Sequence, residues 1–331
     1  MKKIYSSIVA VAASVLMVGC SASKAEPAKV KEVIKPAKIQ SVQVFEVDNS
    51  DGKYTPKVIS DGMAKAGLRS LGNNDMNKPF AQRFDNKLHY KTYNLAMYQN
   101  DELTLKLIKK YPNFGALAPL TMSIWSDDTK NTMKVSTLSL NGLARAAGIP
   151  ITDPDLVAYS ALIEKALKAA MPNGKFQELN FTVKEPKNSF AVNFTADINM
   201  EEVEDLEEYR EDFESEFEGE MEPIGFLMPN YSNLKEEIFD EAGYDGFDFY
   251  STYSICKFDV IYPVSKLHPE AGAYAPCSMF LYKKKDEDKM HVGYLGVKNW
   301  ITTLDIEGQE SIKPLEEAQG MINDILTELT E

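Results

Sequence analysis

The chain has 331 residues, with 50 acidic against 36 basic side chains and a net charge of −14. That balance excludes the basic footprint on which nucleic-acid binding depends. With 44 % hydrophobic residues the composition is that of a globular protein, long enough for two ordinary domains.

Taken in chain order, Lys2 and Lys3 precede an apolar run from Ile8 to Val18 that ends at Gly19-Cys20. The run is too short to span a bilayer with ease, so residues 1–19 read as a cleaved signal peptide. Small residues followed at once by cysteine resemble a bacterial lipobox, with Met17 where Leu is more usual. The motif implies lipid on Cys20; an ordinary signal peptide with a chance cysteine is the alternative. By the same resemblance, Ser21 implies sorting to the outer membrane. Residues 20–38 then form a lipidated tether carrying Lys24, Lys29, Lys31, Lys35 and Lys38, with a reach of roughly 60 Å if fully extended. Loss of Lys2 and Lys3 makes the mature charge about −16, which speaks for a soluble body.

Beyond the tether the chain repeats itself. Tyr111-Pro112-Asn113-Phe114-Gly115-Ala116-Leu117-Ala118-Pro119 aligns with His268-Pro269-Glu270-Ala271-Gly272-Ala273-Tyr274-Ala275-Pro276, and the offset of 157 holds from Tyr111 to Leu143. Each copy is predicted to be a small α+β unit. In the first, Val42–Val47 alternates like a strand, and Thr55-Pro56 opens a helix that ends near Gly67. Tyr93–Tyr98 is a further strand and 101–110 a short helix. Leu120–Trp125 and Met133–Leu138 form a hairpin, and Asp155–Met171 is a closing helix. In the second, Phe190–Phe194 is the first strand, followed by a helix over roughly 200–218 that starts at Asn199 with Glu202 as capping partner. Tyr253–Phe258 is matched to Tyr93–Tyr98 at an offset of 160. A helix over 260–267, a hairpin of Cys277–Tyr282 with Met290–Leu295, and a helix over Ile312–Leu329 complete it.

The helix after Asn199 is strongly acidic, with thirteen acidic residues against Arg210 alone between Glu201 and Glu222. Val203, Leu206, Tyr209, Phe213 and Phe217 nevertheless form one apolar stripe. A solvated face opposite a packed one is expected, rather than a cation site. The run Tyr244–Tyr250 reads as one edge of a core more readily than as the lining of a groove. The turn Pro-x-x-Gly-Ala-x-Ala-Pro, present in both copies, points to a requirement of the fold.

Candidate chemistry centres on cysteine. Alternation places Leu120, Met122 and Ile124, and hence Cys277, Met279 and Leu281, on the core face. Lys134 and its counterpart His291 then face the other way. This separates His291 from Cys277 and weakens a metal set of Cys256, Cys277, His268 and His291, while His89 has no partner in the first copy. Cys256 and Cys277 admit three readings: a structural disulfide, a redox-active or thiol-reactive pair with Lys257, His268 or Glu270 as accessory groups, or two small buried apolar side chains. On this alignment Ala96 and Leu120 are their counterparts. No hydrolase, metalloprotease, nucleotide-binding or Cys-x-x-Cys motif is present, and no cofactor is implied.

The segments Ile255-Cys256-Lys257-Phe258 and His268–Tyr282 resemble the bacterial domain of unknown function 302 family. Its pattern has a cysteine ending one strand, an acidic Pro/Gly turn, and Pro-Cys opening the next strand. The resemblance covers about 60 residues of the second copy and, more weakly, the equivalent part of the first. Lys257-Phe258 stands where the family often has Asn-Pro, and Ala275 where it often has Leu. The resemblance implies a small α+β fold that often self-associates, with Cys256 and Cys277 at the family's cysteine positions and no agreed activity.

The expectation is therefore an α+β protein of two tandem domains, 39–174 without cysteine and 175–331 with it, packed as an internal pseudo-dimer. It is expected at the periplasmic face of a bacterial cell envelope, held to the membrane by lipid on Cys20. A non-enzymatic binding or interaction module, open to homo-oligomerisation, is the leading reading of its function. A thiol-redox or metal-handling protein using Cys256 and Cys277 is the alternative.

Overall fold

The computed structural model describes residues 40–127, 129–179, 181, 184 and 191–331. The expected signal peptide, Cys20 and the tether lie outside these residues. Among the described residues no helix is long and apolar enough to cross a membrane.

Two antiparallel sheets, each with its own helices, build an α+β body. The first sheet contains β1 (Val42–Asp48), β2 (Arg69–Asp75), β3 (Thr92–Gln99), β4 (Leu120–Ser126), β5 (Thr132–Leu138) and β6 (Lys175–Gln177). Their spatial order is β2-β3-β4-β5-β1-β6. The second contains β7 (Ala191–Asp197), β8 (Leu227–Asn233), β9 (Phe247–Cys256), β10 (Cys277–Lys284) and β11 (Lys289–Leu295), in the order β7-β11-β10-β9-β8. Apart from β6, the second order is that of the first read from the other edge.

The helices correspond as well, except that a π-helical turn, Lys235–Asp240, stands in the second half where the first has its second helix. α1 (Pro56–Lys65), α2 (Asn77–Arg83), α3 (Asp101–Lys110), α4 (Leu140–Ala147) and α5 (Pro154–Ala170) belong to the first half. α6 (Leu206–Met221), α7 (Phe258–Leu267), α8 (Lys298–Thr303) and α9 (Gln309–Thr330) belong to the second. Local chemistry sets their ends. Thr55 Oγ1 accepts from the Val58 amide at 3.2 Å, Pro56 occupies the first turn of α1, and Gly67 leaves the helix at φ +107°. The acidic helix starts later than its sequence suggests. Asp205, not Asn199, caps α6 by accepting from the amides of Glu207 and Glu208.

Strand register corrects the sequence alignment at one point. Tyr93 pairs with Trp125, and Tyr250 pairs with Tyr282, so β3 and β9 correspond at the same 157-residue offset as the hairpins. The offset of 160, which set Tyr93 against Tyr253, is wrong. The counterpart of Cys256 is therefore Gln99 and not Ala96, while Leu120 remains the counterpart of Cys277.

The two halves lock together through their shared turns, Pro112–Leu117 and Pro269–Ala273. Each turn packs on the sheet of the other half. Ser123 Oγ donates to the Pro269 carbonyl at 2.6 Å, and Tyr93 Oη donates to the same oxygen at 3.3 Å. In return Tyr250 Oη donates to the Pro112 carbonyl, and Ser278 Oγ donates to that of Pro119 at 2.9 Å. A Cβ on Gly272 would lie 2.4 Å from Ser123 Cβ, and one on Gly115 would lie 2.7 Å from Phe280 Cβ. Both glycines are thus required by close approach. This exchange buries β4 on both faces, so Thr121, Ser123 and Trp125 do not reach solvent.

Candidate functional site

Cys256 ends β9 and Cys277 opens β10. Cys277 pairs with Ile255, the residue before Cys256, which brings the cysteines to neighbouring positions at one end of the second sheet. Both are free thiols, so no disulfide joins them in this structure. They line a cavity of about 50 Å³ whose walls also include α7, α9 and the segment around Trp300. The wall from α9 follows from helical spacing. Ser311, Leu315, Ala318, Ile322 and Leu326 are its buried stripe, and Leu315, Ala318 and Ile322 line the same cavity as the cysteines. Val260 and Ile261 of α7 add to the apolar lining.

This setting disfavours thiolate. Burial pushes the Cys256 thiol up to about 12. The Cys277 thiol is also pushed up to about 12, by burial first and then by the neighbouring Cys256. Lys257 is part of the cavity wall, but its ammonium donates to the Ile224 carbonyl and lies 4.8 Å from the centre of the Phe226 ring. It does not bring either thiol down. Thiolate is therefore a very small minority of either side chain at pH 7.5. In the chain carrying Cys20→Ala, alkylation by iodoacetamide at that pH is expected to be negligible in the folded protein and rapid in denaturant. Comparable rates in the two states, followed by intact mass, would contradict this account of the cavity.

The other candidate residues are held elsewhere. His268 closes α7, and its Nδ1 lies 3.2 Å from Glu270 Oε1 on the turn that packs against the first sheet. Neither residue lines the cysteine cavity. His291 pairs with Tyr282 on β10, stacks on its ring at 4.7 Å, and places Nε2 2.9 Å from Glu287 Oε1. Lys134, its counterpart, lies 5.8 Å from the Trp125 ring centre. His89 does have a neighbour, the Tyr262 ring at 4.4 Å. The imidazoles and thiols thus occupy separate places. The Tyr244–Tyr250 run supplies the buried Phe247, Phe249 and Tyr250 of β9, as befits a core edge.

Two larger openings were not foreseen from sequence. They occupy equivalent positions, between the helix after the first strand and the outer strands of each sheet. In the first half a cleft of about 630 Å³ lies between α1 and the strands β2 and β3. Asn94 Nδ2 donates to Asn73 Oδ1 at 2.9 Å, and Asn73 Nδ2 donates to the Pro56 carbonyl and to Ser60 Oγ at 2.9 and 3.2 Å. Lys57, Asp61, Asp75 and Lys91 line it too.

The equivalent place in the second half is a groove of about 400 Å³ between α6 and β8. Its floor is charged. Arg210, 4 % exposed, donates to Glu207, to Tyr231 Oη, to Glu214 Oε2 at 2.5 Å and to Ser251 Oγ at 3.5 Å. Tyr231 and Ser251 stand in register where Asn73 and Asn94 stand in the first half. Arg210 is the one basic residue of the acidic helix, and it points inward. The expected fully apolar packed face is therefore corrected: α6 buries Arg210 and Glu214 beside Phe213, Phe217 and Met221.

Comparison with known proteins touches the cysteine-bearing half. Residues 202–329 match the family described as domain of unknown function DUF302. The stretch runs from before α6 into α9 and includes both cysteines. A crystal structure of an uncharacterized conserved DUF302 protein from Bacillus stearothermophilus is similar at 12 % sequence identity and a TM-score of 0.34. It covers 43 % of this chain and 98 % of its own. No curated protein matches the chain.

Proposed function

We propose that the chain is a lipid-anchored protein of the bacterial cell envelope whose body is a tandem pair of domains, 39–174 and 175–331, acting as a non-enzymatic binding module. The polar cleft of the first half carries this reading. Its amides and hydroxyls are arranged to exchange hydrogen bonds, and its lysines and aspartates are balanced in sign. Such a lining suits a small polar molecule without net charge, such as a polyol or a zwitterion. Its hydroxyls have no imidazole beside them to act as base, and Ser60 Oγ is engaged by Tyr98 Oη at 2.7 Å.

The anchor rests on the sequence around Cys20 and predicts that Cys20→Ala moves the protein from the membrane to the soluble fraction. Binding is tested by thermal shift of the full chain against sugars, polyols and amino acids. A ligand at about 100 times its Kd adds about 2.7 kcal/mol of stability. That gain is expected to vanish in Asn94→Leu and to persist in Cys277→Ala. Turnover of any such compound, abolished by one substitution, would replace binding with catalysis. Failure of every class to shift the melting temperature would remove the cleft from the function.

A further inference from the structure

We propose that Cys256 and Cys277 form a two-coordinate site for a soft monovalent ion, Cu⁺ or Ag⁺, inside the apolar cavity of the second half. Both cysteines line one small space, and the other side chains there supply no carboxylate and no imidazole. The donor set is therefore two thiols. Zinc requires four ligands in a closed site, and hard cations require a cage of oxygens. Two thiolates in an apolar shell select the soft, low-coordinate ions of the copper group. The volume of about 50 Å³ admits an ion, and the mostly apolar wall offers a water shell few hydrogen-bond partners.

Binding is redox-neutral. Each S–H bond breaks heterolytically, both protons leave to solvent, and two S–metal bonds form. The product carries one net negative charge, and the cavity wall holds one group suited to it. Trp300, 2 % exposed, lines the cavity with an indole Nε1–H that has no acceptor among the described residues. A thiol is a weak acceptor, whereas a metal-bound thiolate is a good one. The first half is an internal control, because Gln99 and Leu120 occupy the equivalent positions. One site per chain follows.

The test uses the full chain carrying Cys20→Ala, which leaves Cys256 and Cys277 as its only thiols. Titration with Ag⁺, or with Cu⁺ under anaerobic conditions, is expected to saturate at one ion per chain. Two protons should be released, a thiolate-to-metal absorption should appear, and the melting temperature should rise. Cys256→Ala and Cys277→Ala each abolish stoichiometric uptake, and Cys277→Val does so while preserving apolar volume. Trp300→Phe weakens affinity about 10-fold, the size of an outer-sphere effect. Absence of uptake by the folded chain, uptake that survives Cys277→Val, or recovery of the pair only as a disulfide would overturn the assignment. None of these outcomes bears on the polar cleft, which lies in the other half.

Discussion

Arg210→Met is expected to destabilise the protein by about 3–5 kcal/mol at neutral pH, the cost of leaving a buried charge without its partner. Glu214 is 7 % exposed. Burial holds its carboxyl above the ordinary value of 4.5, against the opposing pull of Ser251, Arg210 and Tyr231. Removing the guanidinium takes away part of that pull and raises the carboxyl further. An acid whose folded-state value is raised gives stability that is fully present below 4.5 and lost as pH rises through the raised value. The variant should therefore recover part of its loss on acidification from neutral pH towards 4.5. Arg210→Met with Glu214→Gln should recover much of it at neutral pH, since no buried charge is stranded. Urea unfolding of the three proteins at two pH values measures this. A single variant within 1 kcal/mol of the parent, or one that the second substitution does not rescue, would mean that the pair is solvated in practice.

The second large effect is expected at the turn that crosses between the halves. Gly272→Val should cost about 3 kcal/mol, the upper range for overpacking a tight contact. Its Cβ would meet Ser123 not only at Cβ but at the backbone N and Cα, at 2.8 and 2.9 Å, so no rotamer change relieves it. The added methyl groups must displace either the turn or strand β4. Because β4 and the turn belong to different halves, hydrogen exchange should quicken in both sheets. Gly219, within α6, gives the contrast. An added Cβ there meets nothing within 4 Å, and Gly219→Ala should stabilise by about 0.5–1 kcal/mol through helix propensity. If Gly272→Val loosens only the second sheet, the interlock is not the contact that couples them.

The parts of the fold legible in the sequence are those with strong local periodicity. The hairpins, α1, α3 and α5 stand within about two residues of their expected bounds and α9 within about three, because alternation, Pro at the helix start and apolar stripes are all local signals. Strands β2 and β8 were not legible. Arg69–Asp75 and Leu227–Asn233 are polar, outer strands, where exposure removes the alternation that marks a half-buried strand. The error at Tyr253 has a similar cause. Aromatic residues recur every one to three positions along β9, so several alignments score well, and only cross-strand pairing selects one. Of the candidate site, the sequence singles out Cys256 and Cys277 as a pair, but only the pairing of β9 with β10 sets them at neighbouring positions. Their apolar cavity was not legible, because α9 lines it from more than 30 residues away along the chain. The polar cleft was missed because Asn73 lies on an unrecognised strand. Arg210 was missed because a lone cation on an acidic helix gives no sign that it turns inward.

The exchange of turns between the sheets has a consequence for how the protein tolerates scarcity. Two separate chains held by such contacts come apart on dilution, since their encounter depends on how many copies are present. With both partners in one polypeptide, each turn meets its sheet at an effective concentration fixed by chain length. The unfolding midpoint of the body should then be independent of protein concentration. A few copies per cell would be as well assembled as a few thousand.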